Sequence, residues 1–580
     1  MKSGVDVTLK IGRITRINGP VVHLSGLGDA ARFEFVEIGE RRLPGEVLSI
    51  DHDDTVAQIY EDTSGLTVGQ PATALGHPFT AQLSPGLLGG IYDGLLRPLD
   101  TGQQFLRPTD LARPRPGPLD FTPHAIEGVS LEAGESFGIV TRPNGTEMPV
   151  VVPPHVSGRL EQIVSAGTYE SSDTIATVGG IDVTFLSEWP VRTPRPYRQR
   201  LRDRVPFATG QRVLDILEPI AKGSSATVIG GFGEGKTMLL EQIAKWSDAD
   251  IIIYVGCGER GNEMADLIDE LSNLDDPNTG RRLLERTIVL ANTSNMPVMA
   301  REASIYTGAA VAEYFRDMGL DVVIIADSTS RWAEAQRELA SRTGAIPAEQ
   351  GYPADLPTSL AAFYQRAGRV TTSGGLTGSV TIVTSVSPPG GDTTEPVSAH
   401  TQRFVQAVWA LDRDLAYARH YPAVSWDGSF SRDSAAVGRW HAANGDADWS
   451  NRRSRLLSIL AEAGRLQGIA DLVGRTSLPA DERLTLLTAR LVREAILQQS
   501  ALSTNDASCA QVKQAALTGA VLDIYDTGRD LIRGGLPASV IESVDFGPII
   551  RAKDDTVSDD ADGVNRIVAD TLRAMRELSA

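Results

Sequence analysis

The chain has 580 residues, of which 41% are hydrophobic and 22% charged, and its formal net charge is -19. That length exceeds what one core serves, so three or four domains are expected, and the acidic balance excludes a polyanion such as nucleic acid as the main partner. No apolar run approaches the ~18 residues needed to span a bilayer, Met1–Asp6 lacks the apolar core of a secretory signal, and Cys257 and Cys509 are too few for a disulfide framework.

From about residue 8 to 75, apolar and polar side chains alternate between turn signals, as in Gly12–Val22 and Thr55–Tyr60; this predicts an N-terminal β-barrel over 1–75. Gly- and Pro-rich sequence over 76–116, with Pro114 and Pro116 continuing the break, reads as a linker. Residues 117–190 turn β-rich again (Gly138–Val140, Met148–Val152) and read as an inserted β module. Over 191–435, apolar runs of four to six residues alternate with helical patterns: 226–229, 251–255, 287–290, 322–326 and 380–383. Continuous apolar strands separated by helices describe a parallel sheet covered on both faces. Beyond 436 the spacing is helical, as in 454–460 and 484–492, which predicts a C-terminal helical bundle over 436–580. The acidic 553–562 stretch reads as a solvated loop before a last helix, 564–578. The fold class expected is multidomain α/β.

Gly230-Gly231-Phe232-Gly233-Glu234-Gly235-Lys236-Thr237 follows the strand 226–229 and precedes a helix expected over 238–246, beginning at Met238. Glycines let backbone N–H groups curl around phosphates, and the helix presents its positive end to them. Lys236 would reach the β- and γ-oxygens, and the Thr237 hydroxyl would ligate Mg²⁺, so ATP or ADP with Mg²⁺ is the expected ligand. The bland alternative, a Gly-rich turn with a surface lysine, does not account for the strand and helix on its flanks. Asp327 closes the strand 322–326, where a carboxylate can hold magnesium's water shell; taken alone it would read as a helix N-cap. Strand 251–255 leads into Gly256-Cys257-Gly258-Glu259-Arg260-Gly261-Asn262-Glu263. Hydrolysis needs a carboxylate to orient and deprotonate water, and Glu259, just beyond a strand end, is the best candidate. Arg260 would neutralise transition-state charge or hold Glu259 as an ion pair. Glu263 reads as the first turn of the next helix and Cys257 as a small buried filler.

These strings, with Ala291–Pro297, Ala326–Glu334, Gly86–Gly94, Arg366–Val370 and Arg419–Val424, closely resemble the catalytic A subunit of vacuolar/archaeal-type rotary ATPases, from about residue 10 to beyond 530. The resemblance implies a β-barrel, an inserted bulge domain, a RecA-like nucleotide domain and a C-terminal helical domain. It implies ATP hydrolysis or synthesis coupled to proton or sodium transport, by a subunit on the cytoplasmic face of a membrane. Implied partners are B-type subunits alternating with it in a six-membered ring, central and peripheral stalk subunits, and a membrane rotor that makes the only bilayer contact. Glu259 matches the family's general base, Arg260 its neighbouring arginine, and Tyr421 an aromatic that packs on adenine; a further arginine comes from the adjacent B subunit.

Three positions depart from the family pattern. Glu234 stands where relatives carry a small side chain; facing the phosphates, two like charges ~4–5 Å apart at an effective dielectric of ~20 would cost roughly 3–4 kcal/mol. Gly231 replaces a proline or alanine. Leu502 stands where relatives have a second adenine-contacting aromatic, a loss of about 1 kcal/mol of stacking. Nucleotide binding weaker than in typical relatives is therefore expected. Three other readings compete. An export ATPase of the same superfamily would be shorter and lack the 117–190 insertion. An RNA-translocating hexamer of the Rho type would need a basic aromatic surface. A non-catalytic ring member would lack the intact set of Lys236, Thr237, Glu259 and Asp327.

Overall fold

The computed structural model describes residues 10–99, 117–142, 145–276 and 279–578. The reading of Met1–Asp6 and the part of the predicted linker that holds Pro114 and Pro116 lie outside them. The described chain forms two compact units. One contains the described residues up to 202, with 222–225 and 249–404; the other contains 203–221, 226–248 and the residues from 405 onward.

The first unit opens with a closed six-stranded barrel. Its strands are β1 (Lys10–Asn18), β2 (Val21–Ser25), β3 (Glu34–Ile38), β4 (Leu43–Asp51), β5 (Asp54–Ile59) and β6 (Pro71–Pro78), in the order β1-β2-β5-β4-β3-β6. Alternation places Ile14, Val22, Leu24, Val36, Ile38, Val47, Ala57 and Ile59 inside, which is how a small barrel fills its own core. Closure also removes the open edges that would otherwise invite pairing with other chains.

Residues 76–99 are more than a connection. Thr80–Leu83 pairs antiparallel with Ser187–Pro190, and Ile91–Tyr92 runs parallel to Thr287–Thr293. Strands of two to four residues are too short to show a period among glycines and prolines, so the linker reading missed them. The inserted module holds two four-stranded sheets built around Phe121, Phe137, Val140 and Leu160, all buried.

The parallel sheet of the first unit joins Thr377–Val386, Asp321–Asp327, Ile251–Glu259 and Thr287–Thr293 side by side. Its apolar strands are buried along almost their whole length, as a sheet covered on both faces requires. Helix Val298–Asp317 is buried at every position from Met299 to Asp317. Charges on a buried helix are ordinarily paired, and here Glu313 takes a fork of two bonds from Arg366 while Arg195 pairs with Asp317.

In the second unit, Ala226–Ile229 runs parallel to Ala407–Ala410. The C-terminal part is helical: Trp449–Val473, Ala480–Leu491, Gln511–Arg533, Gly547–Asp555 and Ala561–Glu577. Leu456, Ile459, Leu460, Ala463, Leu466 and Ala470 form the buried stripe of the first, at the spacing of three and four residues that a helix needs to cover a core. The reading of 553–562 as a solvated loop is corrected at its start. Lys553 lies in the last turn of Gly547–Asp555 and is buried, its ammonium donating to the carbonyls of Glu494 (2.6 Å) and Gln498 (3.0 Å). Among the described residues no helix is long and apolar enough to cross a membrane.

Candidate functional site

Strand Ser225–Ile229, which lies in the second unit from Ala226 onward, feeds the glycine loop, which enters helix Lys236–Trp246. The helix begins two residues earlier than its sequence pattern indicated, at Lys236 itself. Gly233 and Gly235 have φ of +81° and +95°, the left-handed region that glycine enters without strain. The Lys236 ammonium donates to the carbonyls of Gly230 (2.8 Å) and Gly231 (2.6 Å), so it sits within the crook of the loop.

Glu234 turns back onto the same loop, its carboxylate accepting the Gly231 N–H at 2.6 Å. A Cβ at Gly231 would lie 2.6 Å from one Glu234 oxygen, and a Cβ at Gly230 would lie 2.7 Å from the other. Glycine at 231 therefore accommodates glutamate at 234, and the two departures from the family pattern are one feature. The carboxylate already holds an N–H of the loop, so an incoming phosphate must compete with it. Glu234→Ser is expected to tighten Mg-ATP binding by about tenfold, roughly 1.4 kcal/mol in a nucleotide titration. Unchanged or weaker affinity would contradict this electrostatic account.

Tyr421 lies against the loop: a Cβ on Gly235 would be 3.7 Å from its ring. Its carbonyl accepts the Gln499 N–H at 2.8 Å, which ties Tyr421 to the segment carrying Leu502. The buried Arg212 guanidinium pins that segment through the carbonyls of Ile496 and Gln498 and the Asp506 carboxylate. Phe232, Met238, Tyr421 and Leu502 are 93%, 58%, 44% and 98% exposed, so the unit presents apolar side chains around the loop and at its tip. Leu502 has almost no packing to lose. Leu502→Phe should therefore fold as the parent does and tighten ATP by about two- to tenfold, an aromatic contact of ~0.5–1.5 kcal/mol, with the affinity for free triphosphate unmoved.

In the first unit, Glu259 is the last residue of Ile251–Glu259 rather than a residue beyond it, and Asp327 is the last of the adjacent parallel strand. A register shift between Cys257 and Glu259, with Gly258 at φ +78°, ends the strand regularity there. Both carboxylates thus stand at the C-terminal edge of the sheet, where open α/β sheets receive ligands. Burial pushes the Glu259 carboxyl up to about 8, helped by the like charge of Asp327, while Arg331 pulls the other way. Asp327 is buried and accepts a hydrogen bond from the Ser385 hydroxyl. Arg260 does not pair with Glu259: it precedes helix Gly261–Asn273, is well exposed, and lies 3.5 Å from Glu263 in that helix's first turn. Cys257 is fully buried and its thiol is pushed up to about 12 by burial, which leaves it inert. Sequence reasoning gave no role to Arg331 or Arg301, whose side chains lie beside Gly258. Each is one arginine in a helical pattern, and nothing in the pattern distinguishes it from a surface arginine.

The raised carboxyl of Glu259 has a consequence for stability. Between its ordinary range and about 8 the folded chain holds a proton that the unfolded chain releases, so stability falls as pH rises through that window. Glu259→Gln is expected to raise Tm by about 2 °C at pH 9 and by almost nothing at pH 4. A gain independent of pH would contradict it.

Thr237 offers a hydroxyl in the first turn of its helix and Asp327 a carboxylate at the end of its strand, each an oxygen donor of the kind that Mg²⁺ takes. Among the described residues no group of three or more His, Cys, Asp or Glu forms a metal cage.

Four family models match the chain. They are the ATP synthase alpha/beta family beta-barrel domain (residues 10–76), the alpha/beta subunit barrel-sandwich domain (115–192), the alpha/beta family nucleotide-binding domain (210–431) and the C-terminal domain of V and A type ATP synthase (438–537). The V-type ATP synthase alpha chain of Nitrosococcus oceani is 46% identical over 540 residues, 91% of either chain. The A subunit of the A-type ATP synthase of Thermofilum pendens is 43% identical over 94% of this chain and 93% of its own. That of Saccharolobus islandicus is 46% identical over 93% of this chain and 94% of its own. Among solved structures, the assembled ATPase EscN of the enteropathogenic E. coli type III secretion system shares the fold, with a TM-score of 0.66 at 21% identity, over 88% of this chain and 99% of its own.

Proposed function

This chain belongs to the family of V-type and A-type ATP synthase alpha/A subunits, and from that premise we propose how its residues carry the family's reaction. It is the catalytic subunit of a rotary ATPase, interconverting ATP and water with ADP and phosphate, coupled to ion transport across a membrane. The ligand is Mg-ATP or Mg-ADP. Its partners in this reading are B-type subunits alternating with it in a ring, together with central and peripheral stalk subunits. It sits peripherally on the cytoplasmic face, and the rotor sector alone enters the bilayer.

Residues Gly230 to Met238 cradle the phosphates and Lys236 carries positive charge to the β- and γ-oxygens. Tyr421 stacks on the base, and Leu502 borders it without an aromatic face. Thr237 and Asp327 are the residues that would hold magnesium, which when bound would supply positive charge toward the phosphate oxygens. Glu259 orients the attacking water and takes its proton, and Arg260 neutralises charge that builds on the γ-phosphoryl group. We assign the domains as barrel 1–75, a linker 76–116 that lends the short strands Thr80–Leu83 and Ile91–Tyr92 to neighbouring sheets, bulge 117–190, nucleotide domain 191–435 and helical domain 436–580.

The observation that carries the catalytic reading is Glu259: a carboxyl at a strand's C-terminal end, with burial pushing it to about 8, close to the operating pH at which a general base works best. The test is co-expression with the B-type ring neighbour, followed by measurement of Mg²⁺-dependent phosphate release. A complex that neither retains labelled ATP nor releases phosphate would refute the reading.

A further inference from the structure

Arg301 is the fourth residue of helix Val298–Asp317, which follows the sheet strand Thr287–Thr293. It is 8% exposed, and its buried Nε has no hydrogen-bond partner. One terminal nitrogen donates to the Ser294 carbonyl at 3.4 Å, a long bond, and among the described residues no carboxylate forms an ion pair with it. A guanidinium stays charged at any working pH, and a buried charge is ordinarily paired, so an unsatisfied one calls for an anion. The side chain lies across Gly258, where a Cβ would come within 2.9 Å of Nε and 3.1 Å of Cδ. The backbone beside Glu259 is thus shaped to let Arg301 pass.

Arg301 also lines a cavity of about 950 Å³, whose wall includes Arg337, Arg342, Glu334 and Glu338. Both carboxylates are committed, Glu338 to Arg342 at 2.7 Å and Glu334 to Arg331 at 3.2 Å. Arg337 spreads over the Tyr352 ring at 5.1 Å and has no carboxylate partner among the described residues. The wall therefore shows two uncompensated guanidinium groups, Arg301 and Arg337. Planar N–H forks of this kind match the oxygens of a tetrahedral dianion.

We propose that this cavity is a holding site for inorganic phosphate, anchored by Arg301, where phosphate waits on its way to or from Glu259. This rests on the reading of Glu259 as the catalytic base and adds to it a station for the second product of hydrolysis. The test is equilibrium binding of labelled inorganic phosphate to the assembled complex, with Mg²⁺ and without nucleotide, in the parent and in R301Q, R301K, R337Q and K236A. R301Q should weaken phosphate at least tenfold, R301K and R337Q about threefold each, and K236A should leave the Arg301-dependent binding in place. Unchanged binding in both R301Q and R337Q overturns the proposal, as does loss in K236A with R301Q unaffected, which would put the phosphate on the glycine loop. If R301Q does not assemble, R301K and R337Q decide, and parent-like binding in both overturns it. Turnover of E259Q is read separately: parent-like turnover there would sink the assignment of the base without touching phosphate retention by Arg301.

Discussion

Replacing Glu259 with Gln is expected to lower ATP turnover of the assembled ring by about 10³-fold, while Kd for Mg-ATP stays within about threefold of the parent. General-base catalysis contributes typically 10²–10⁴-fold, and an amide keeps the shape of the side chain while losing its capacity to take a proton. The residue is placed for that task. It ends a buried strand, beside Asp327 at the end of the neighbouring strand, and burial with that like charge holds its carboxyl near 8. Its neighbours Glu263 and Arg331 are polar and tolerate an amide, so the variant should assemble. Steady-state phosphate release measures the first quantity and nucleotide titration the second. Equal turnover would assign the chemistry elsewhere; a loss confined to binding would make Glu259 a ligand-positioning group.

Lys236→Ala is expected to act on the other quantity. The ammonium lies 2.8 and 2.6 Å from the carbonyls of Gly230 and Gly231, inside the loop it would share with the β- and γ-phosphates. Hydrogen bonds to charged groups are worth ~1.5–3 kcal/mol each, so losing contacts to two phosphate oxygens should weaken Mg-ATP by about 10²–10³-fold, with turnover falling accordingly. Lys236→Arg should recover little, because a planar fork does not fit where a compact point charge sits between two carbonyls. Titration of Mg-ATP against the three proteins checks this. Parent-like affinity in the alanine variant would remove the loop from the site.

The parts of the fold that could be read in the sequence are those whose signal is long or covalent in origin. The apolar runs 251–255 and 322–326 mark strands because both faces of a parallel sheet are buried, and the glycine-lysine loop marks itself because only glycine adopts those backbone angles. Strand ends were harder. Ile251–Glu259 runs four residues past its apolar run because Gly256 pairs in the sheet without a side chain to show it, and Glu259 pairs beyond the irregularity at Gly258. Ile91–Tyr92 carries no periodic signal at all and is placed by its neighbour Thr287–Thr293. Lys553 looked solvated because a lysine in an acidic stretch usually is; backbone carbonyls from a distant segment satisfy its ammonium, and no local pattern records them. At the site, residue identities were legible and their relations were not. Arg260 pairs with Glu263 rather than Glu259 because the chain leaves the strand and enters a helix at that point. The turn of Glu234 onto the Gly231 N–H depends on a side-chain torsion, which composition and spacing do not encode.

The most direct measurement is the chemical state of labelled nucleotide held by the assembled complex carrying Glu259→Gln, loaded with Mg-ATP and freed of excess ligand. With Glu259 as the base, intact ATP is retained on the variant and ADP on the parent. ADP and phosphate on the variant at the parent's rate, or no retained nucleotide on either complex, would contradict it.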